Sequence, residues 1–161
     1  MDMIKKNKVI LTDCDGVCLD WEYGFHTWME THGHTLKQKD LYSVAKQYEL
    51  TDEQAKRQVE IFNSSASMGF LPPLRDAQYY IKLLAEKLGY RFVAVTSLSN
   101  DVSAQKLRTC NLKKLFGNDT FTEYHYLGCG DDKDEILLEL ANRYEGSIWV
   151  EDKYINAEVG A

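Results

Sequence analysis

The first apolar run, Val9-Ile-Leu11, reads as a buried strand. Beyond it the period changes. Trp21, Phe25, Trp28 and Met29 fall at helical spacing, and Gly33 stands where such a helix would end. Asp40 is placed to cap a second helix through Leu41, Val44, Ala45 and Tyr48. Thr51-Asp-Glu-Gln54 suits a capping box for a third, running through Val59 and Phe62. From Trp21 to Gly69 the chain is helical and polar-aromatic, with no convincing strand.

Leu71-Pro-Pro-Leu74 then punctuates the chain, forcing an extended turn before a new helix. Ala77, Tyr80, Ile81, Leu84 and Leu88 recur at helical period up to Gly89. Arg91 to Ser97 predicts a second buried strand, and Asn100-Asp101 open a helix to about Leu115, with Gly117 beyond it. Thr120 to Leu127 alternates as a third strand, and Gly128 to Lys133 is a loop. A helix carrying Ile136, Leu137, Leu140, Ala141 and Tyr144 leads to a fourth strand, Ser147 to Val150. Strands alternating with helices predict an α/β fold: a mostly parallel, Rossmann-like sheet with helices on both faces.

The totals narrow the classes. A chain of 161 residues predicts one domain, with room for a small insertion. A net charge of −6 argues against a nucleic-acid polymer as partner, since phosphate-backbone binders present a basic face. No run approaches the ~20 apolar residues of a membrane span, and the charged start leads into no signal-like segment. Cys14, Cys18, Cys110 and Cys129 form no CxxC pair and no zinc spacing. They read as reduced thiols, and the expected location is cytoplasmic.

The candidate chemistry lies at strand ends. Asp13 and Asp15, at i and i+2 of an extended segment, share a face roughly 6.5 Å apart. Gly16 then lets the chain turn sharply. A calcium loop would want Gly at its sixth position and Glu at its twelfth; here Gly16 comes fourth and Gly24 twelfth. The second strand ends in Thr96 and Ser97, and Glu151-Asp152 follow the fourth. Lys133 stands at a helix N-terminus, where the dipole gives a cation nothing. Each has a plainer reading as a strand end, a helix cap or a solvated lysine. Their conjunction at one edge of a parallel sheet favours a ligand site. Converging carboxylates ask for a hard divalent ion, and few all-protein contacts suit Mg²⁺. Hydroxyls and a lysine suit phosphate oxygens.

These residues resemble the motifs of the haloacid dehalogenase-like superfamily of aspartate-nucleophile phosphatases. Asp13-Cys-Asp15-Gly16-Val17 resembles the first motif, Thr96 the second, Lys133 the third, and Glu151-Asp152 with Asn156 the acidic fourth. The resemblance spans nearly all of the chain outside the helical insertion. It implies a core of residues 1–20 and 70–161, strand order 3-2-1-4, and a small helical cap over 21–69. It also implies Asp13 as a nucleophile that becomes an aspartyl-phosphate, and Asp15 as general acid/base. Thr96, Ser97 and Lys133 would hold the phosphoryl group. Asp13, the backbone carbonyl of Asp15, and Asp152 would bind Mg²⁺, with Glu151 and Asn156 behind them. An Asp at position 15 favours phosphoryl transfer over carbon–halogen cleavage. Two departures stand out: Glu151 replaces the usual Gly or Asp, and the chain stops at Ala161, where members commonly continue with a further strand and helix. The expectation is an open sheet edge through which an oligomer or partner could pack.

A small cap suggests a small phosphomonoester in a closed site. Asp15-Gly-Val-x-x-Asp-Trp21 and Thr96-Ser97 resemble the 5′(3′)-deoxyribonucleotidase branch, making a (deoxy)nucleoside monophosphate the leading substrate. Trp21, Tyr23, Phe25 and Trp28 serve either as cap core or as base-stacking platforms. A sugar-phosphate phosphatase, a polynucleotide end-phosphatase, and a non-catalytic phosphate-binding or regulatory protein are the alternatives. His26, His32, His34 and His125 assemble no ligand set.

Overall fold

The computed structural model describes residues 8–153; Asn156 lies outside them. Four parallel strands form one sheet in the order β3-β2-β1-β4. They are β1 (Val9–Thr12), β2 (Arg91–Ser97), β3 (Phe121–Leu127) and β4 (Ile148–Val150). β1 pairs Thr12 with Ala94 on one side and with Val150 on the other, so the strands end together at one edge. Phe92 to Val95 are all buried, as an inner strand covered on both faces requires. β4 is an edge of the sheet, with Ile148 and Val150 exposed.

Alternation along the strands divides the core into two layers. Val9, Leu11, Val93 and Val95 pack on Leu137 and Leu140 of α6 (Asp134–Arg143). Ile10, Phe92 and Ala94 point the other way, into a larger cluster with Ala104, Leu112 and Phe116 of α5 (Val102–Phe116). That cluster continues without a break into Phe25, Met29, Tyr48 and Phe62 of the helical segment after β1. Helices therefore cover both faces of an α/β sheet.

The helical segment holds α1 (Trp21–Thr31), α2 (Val44–Tyr48), α3 (Asp52–Asn63) and a 3₁₀ turn over Ala66–Gly69. Asp20 caps α1 by accepting from the Tyr23 N–H, and Thr51 and Gln54 form the reciprocal capping box of α3. The second helix is shorter than its pattern suggests. Asp40 does not cap it; Ser43 does, leaving Leu41 and Tyr42 in the preceding loop. Phe25 stacks on Trp21 at 4.7 Å between ring centres and meets Phe62 edge-on at 5.4 Å. Burying such a ring contributes about 2–3 kcal/mol, so these aromatics are chiefly core. The helix after the prolines begins as α4 (Ala77–Lys82) and widens into a π-helical turn over Leu83–Lys87 before Gly89.

The helical segment leaves and rejoins the core through one neck. Leu19 bridges Pro73, Asp20 N–H donates to the Pro72 carbonyl, and Leu74 N–H to that of Cys18. Its far end is fastened as well. Asn63 Nδ2 donates to the Leu98 carbonyl, and the hydroxyls of Ser64 and Ser99 meet at 2.9 Å.

Candidate active site

Asp13 is the first residue past β1, and its N–H donates to the Val150 carbonyl at 3.0 Å. The chain then folds into a tight loop in which the Cys14 carbonyl accepts from the N–H groups of Cys18 and Leu19. Gly16 has φ +76°, and a Cβ there would collide with the Asp152 carboxylate. Glycine is required on both counts. Cys14 stands between the two aspartates yet is fully buried, and burial pushes its thiol well up; that of Cys18 is pushed to about 12. With both thiols disfavoured as thiolates, the anionic groups of this loop are its carboxylates.

Lys133 is 2 % exposed, with Nζ 3.2 Å from Asp13 Oδ2 and 3.0 Å from Glu151 Oε2. The same ammonium lies 5.4 Å from the centre of the Trp149 ring. Burial works against its charge, but Asp13 and Glu151 more than offset it and hold Lys133 protonated. Its place at the start of α6 is thus explained by the anions before it.

Asp13, Glu151 and Asp152 bring one carboxylate oxygen each within 4.8 Å of one another. Burial, with Glu151 close by, pushes Asp13 up to about 8 and Asp152 to about 6. Glu151 resists its own burial and is held down, near 2, by hydrogen bonds with the side chains of Asp13, Asp152 and Lys133. Counting Asp15, four carboxylates face the two cations Lys133 and Arg108, an excess equal to one divalent ion. An all-oxygen donor set of that charge fits Mg²⁺. Glu151 belongs to this group alongside Asp13 and Asp152, while the Asp15 carboxylate does not.

The Asp15 carboxylate is taken by Arg108. Arg108 extends from α5, is fully buried, and sets Nη2 3.0 Å from Asp15 Oδ1, off the line of a hydrogen bond. The same nitrogen donates to Met68 Sδ at 3.3 Å, and Nε and Nη1 have no partner. Burial raises the Asp15 pKa against the opposing pull of Arg108. Sequence reasoning passed over Arg108. The signal was a charge on the stripe of Ala104 and Leu112, four residues from each and otherwise core-facing.

Thr96 is buried, and its Oγ1 has no partner. Ser97 is half-buried and lines a cavity of about 710 Å³ between the strand ends and the helical segment. Asp13, Asp15, Lys133, Glu151 and Asp152 form its floor, and Trp21, His26, Tyr42 and Gln47 stand on the facing wall. Phe25 and Trp28 pack inside the helical segment instead, and Tyr23 faces solvent. His26 and His125 are engaged with Tyr48 and Glu123 respectively.

Sheet order, crossovers and strand-end cavity together give the Rossmann-like fold of haloacid dehalogenase-like hydrolases. A haloacid dehalogenase-like family hydrolase from Streptococcus pneumoniae superposes with a TM-score of 0.61. That match covers 96% of this chain and 80% of the other at 15% identity. In sequence, the chain is 31% identical over 150 residues to an uncharacterized 32.4 kDa protein of Enterobacteria phage T4, from the Gp30–rIII intergenic region. The match takes in 89% of this chain and 53% of that protein, so the chain spans about half its relative's length. No family model matches. No helix among the described residues is long and apolar enough to cross a membrane.

Proposed function

We propose that the protein is a Mg²⁺-dependent phosphomonoester hydrolase working through an aspartyl-phosphate on Asp13. The observation that carries this is the meeting of Asp13, Lys133, Glu151 and Asp152 on the floor of one cavity, with Asp15 two residues from the nucleophile. The Asp13 carboxylate attacks phosphorus, and Asp15 protonates the departing ester oxygen. Asp15 then takes a proton from water as that water opens the acyl phosphate. A raised Asp15 pKa suits the first of these roles. Lys133 and Ser97, which line the cavity, and the Thr96 hydroxyl buried behind them would hold the phosphoryl oxygens, and orienting them in advance is the larger part of the catalysis. Asp13, Glu151 and Asp152 would hold the ion, which supplies charge neutralisation to those oxygens.

The substrate class that fits best is a small monophosphate such as a (deoxy)nucleoside monophosphate. The cavity volume, the Trp21 ring on its wall and the sequence resemblance around Asp15 to Trp21 support it. The test is p-nitrophenyl phosphate turnover with Mg²⁺, with EDTA, and in Asp13→Asn, followed by a panel of nucleotides and sugar phosphates. Turnover is expected only in the first condition. Equal rates in all three would refute the mechanism.

A further inference from the structure

We propose that this cavity selects monoesters whose leaving group carries no second negative charge. The inference rests on reading the cavity as a phosphomonoester site, and it names the chemistry that the site rejects. Beyond the carboxylates of the floor, the lining adds three more acids: Glu22 from α1, and Asp131 and Asp132 from the loop before Lys133. Against them the lining offers two cations among the described residues, Lys133 and Lys153. Lys133 is already held by Asp13 and Glu151 and is 2 % exposed. Lys153 directly follows Asp152, on the floor side, and its N–H donates to Glu151. Among the described residues no Lys or Arg stands on the wall where the leaving group would lie, and His26 there is paired with Glu22.

Three neutral groups of that wall, Gln47, Asn63 and His26, are occupied too. Gln47 Nε2 donates to the Leu41 carbonyl at 2.6 Å. Asn63 accepts from Trp21 Nε1 and donates to the Leu98 carbonyl. Both ring nitrogens of His26 are engaged, one with Tyr48 and one with Glu22. Tyr42 also lines the cavity, and its phenol brings no positive charge. A second phosphate or a carboxylate entering on this wall would meet like charge and find no lysine or arginine there among the described residues. An uncharged or cationic leaving group meets neither obstacle. The accepted class is therefore monophosphates of neutral or cationic hydroxy compounds; bisphosphates and phosphorylated carboxylic acids are turned away.

The test compares p-nitrophenyl phosphate with 4-carboxyphenyl phosphate, which are alike in shape and differ by one charge. Binding of each is measured calorimetrically to the Asp13→Asn protein in Mg²⁺, so leaving-group reactivity plays no part. The carboxylated ester is expected to bind at least about tenfold more weakly. Adding Glu22→Gln and Asp132→Asn should shrink that ratio at least about threefold. Equal affinities, tighter binding of the carboxylate, or no binding of either ester would overturn the proposal. An undiminished ratio in the neutralised variant would overturn its assignment to these wall acids. Turnover by the unmodified protein is scored separately. A preserved preference without turnover would refute the hydrolase reading and leave the selectivity standing.

Discussion

Replacing Asp15 by Asn separates two roles that the structure gives one residue. Asp15 is the proposed proton donor, and it is also the carboxylate facing Arg108, a guanidinium that is fully buried and cannot shed its charge. At 3.0 Å and an effective dielectric of about 20, the gross attraction is roughly 5–6 kcal/mol. Asn keeps a carbonyl dipole in the same place, and the Asp15 side chain is 22% exposed, so water also screens the pair. About 2–4 kcal/mol remains as the expected loss of stability, in line with the cost of leaving a buried charge unpaired. Urea unfolding of the Asp15→Asn, Arg108→Met and double variants measures it, with the m-value as control for two-state behaviour. Both single variants should be destabilised, and the double should be more stable than either one, because removing both charges leaves none stranded. Activity should follow another order. Asp15→Asn should lose nearly all turnover, whereas Arg108→Met should retain a fraction, since its carboxylate is present but poorly placed. An Asp15→Asn protein as stable as the unmodified one, or a strictly additive double variant, would refute the reasoning.

Further outcomes follow from the same geometry. Gly16→Ala should lower kcat/KM about 100-fold, because the new Cβ displaces the Asp152 carboxylate; an unchanged value would contradict the close approach. Mg²⁺ should raise the thermal midpoint of the unmodified protein, by about 2.7 kcal/mol of stability at 100 times its Kd, and should fail to do so in Glu151→Gln/Asp152→Asn. Thr51→Ala should cost about 1 kcal/mol through loss of the α3 capping box, with turnover unaffected. Glu123 resists the upward push of burial because Tyr144 and His125 hydrogen-bond to it and Arg143 lies beside it, so its pKa is lowered. Its stabilising contribution is fully present above the ordinary glutamate value near pH 4.5 and fades as pH falls through the lower folded value. Glu123→Gln should flatten that part of the acid unfolding profile, as followed by circular dichroism.

The fold was legible because the chain's periods are unmixed. The four strands lie within a residue of where the apolar runs put them, and their order leaves little freedom once the crossovers are right-handed. The α2 boundary was not legible: Asp40 and Ser43 are both acceptable caps, and tertiary packing of Ala45 and Tyr48 decides between them. Asp13, Lys133 and Asp152 could be named because each stands at a strand end or a helix start. Arg108 could not be named on that basis, since it sits in the middle of a helix and acts through depth of burial. Glu151 was placed behind the metal group by family pattern. Its position beside Lys133 and Asp13 depends on how far β4 runs, which three residues of apolar pattern do not specify.

β4 is the shortest strand of the sheet, it borders solvent, and it delivers both Glu151 and Asp152. Asp13, their partner in the acid group, hangs from the neighbouring strand, whose last rung is the bond from its amide to Val150. Fraying at this margin would therefore also take apart the acid group. An ion bridging the two strands would act as a clasp on the weakest seam of the sheet. Amide exchange at Asp13 should slow in step with metal occupancy, before any slowing in the interior of β2.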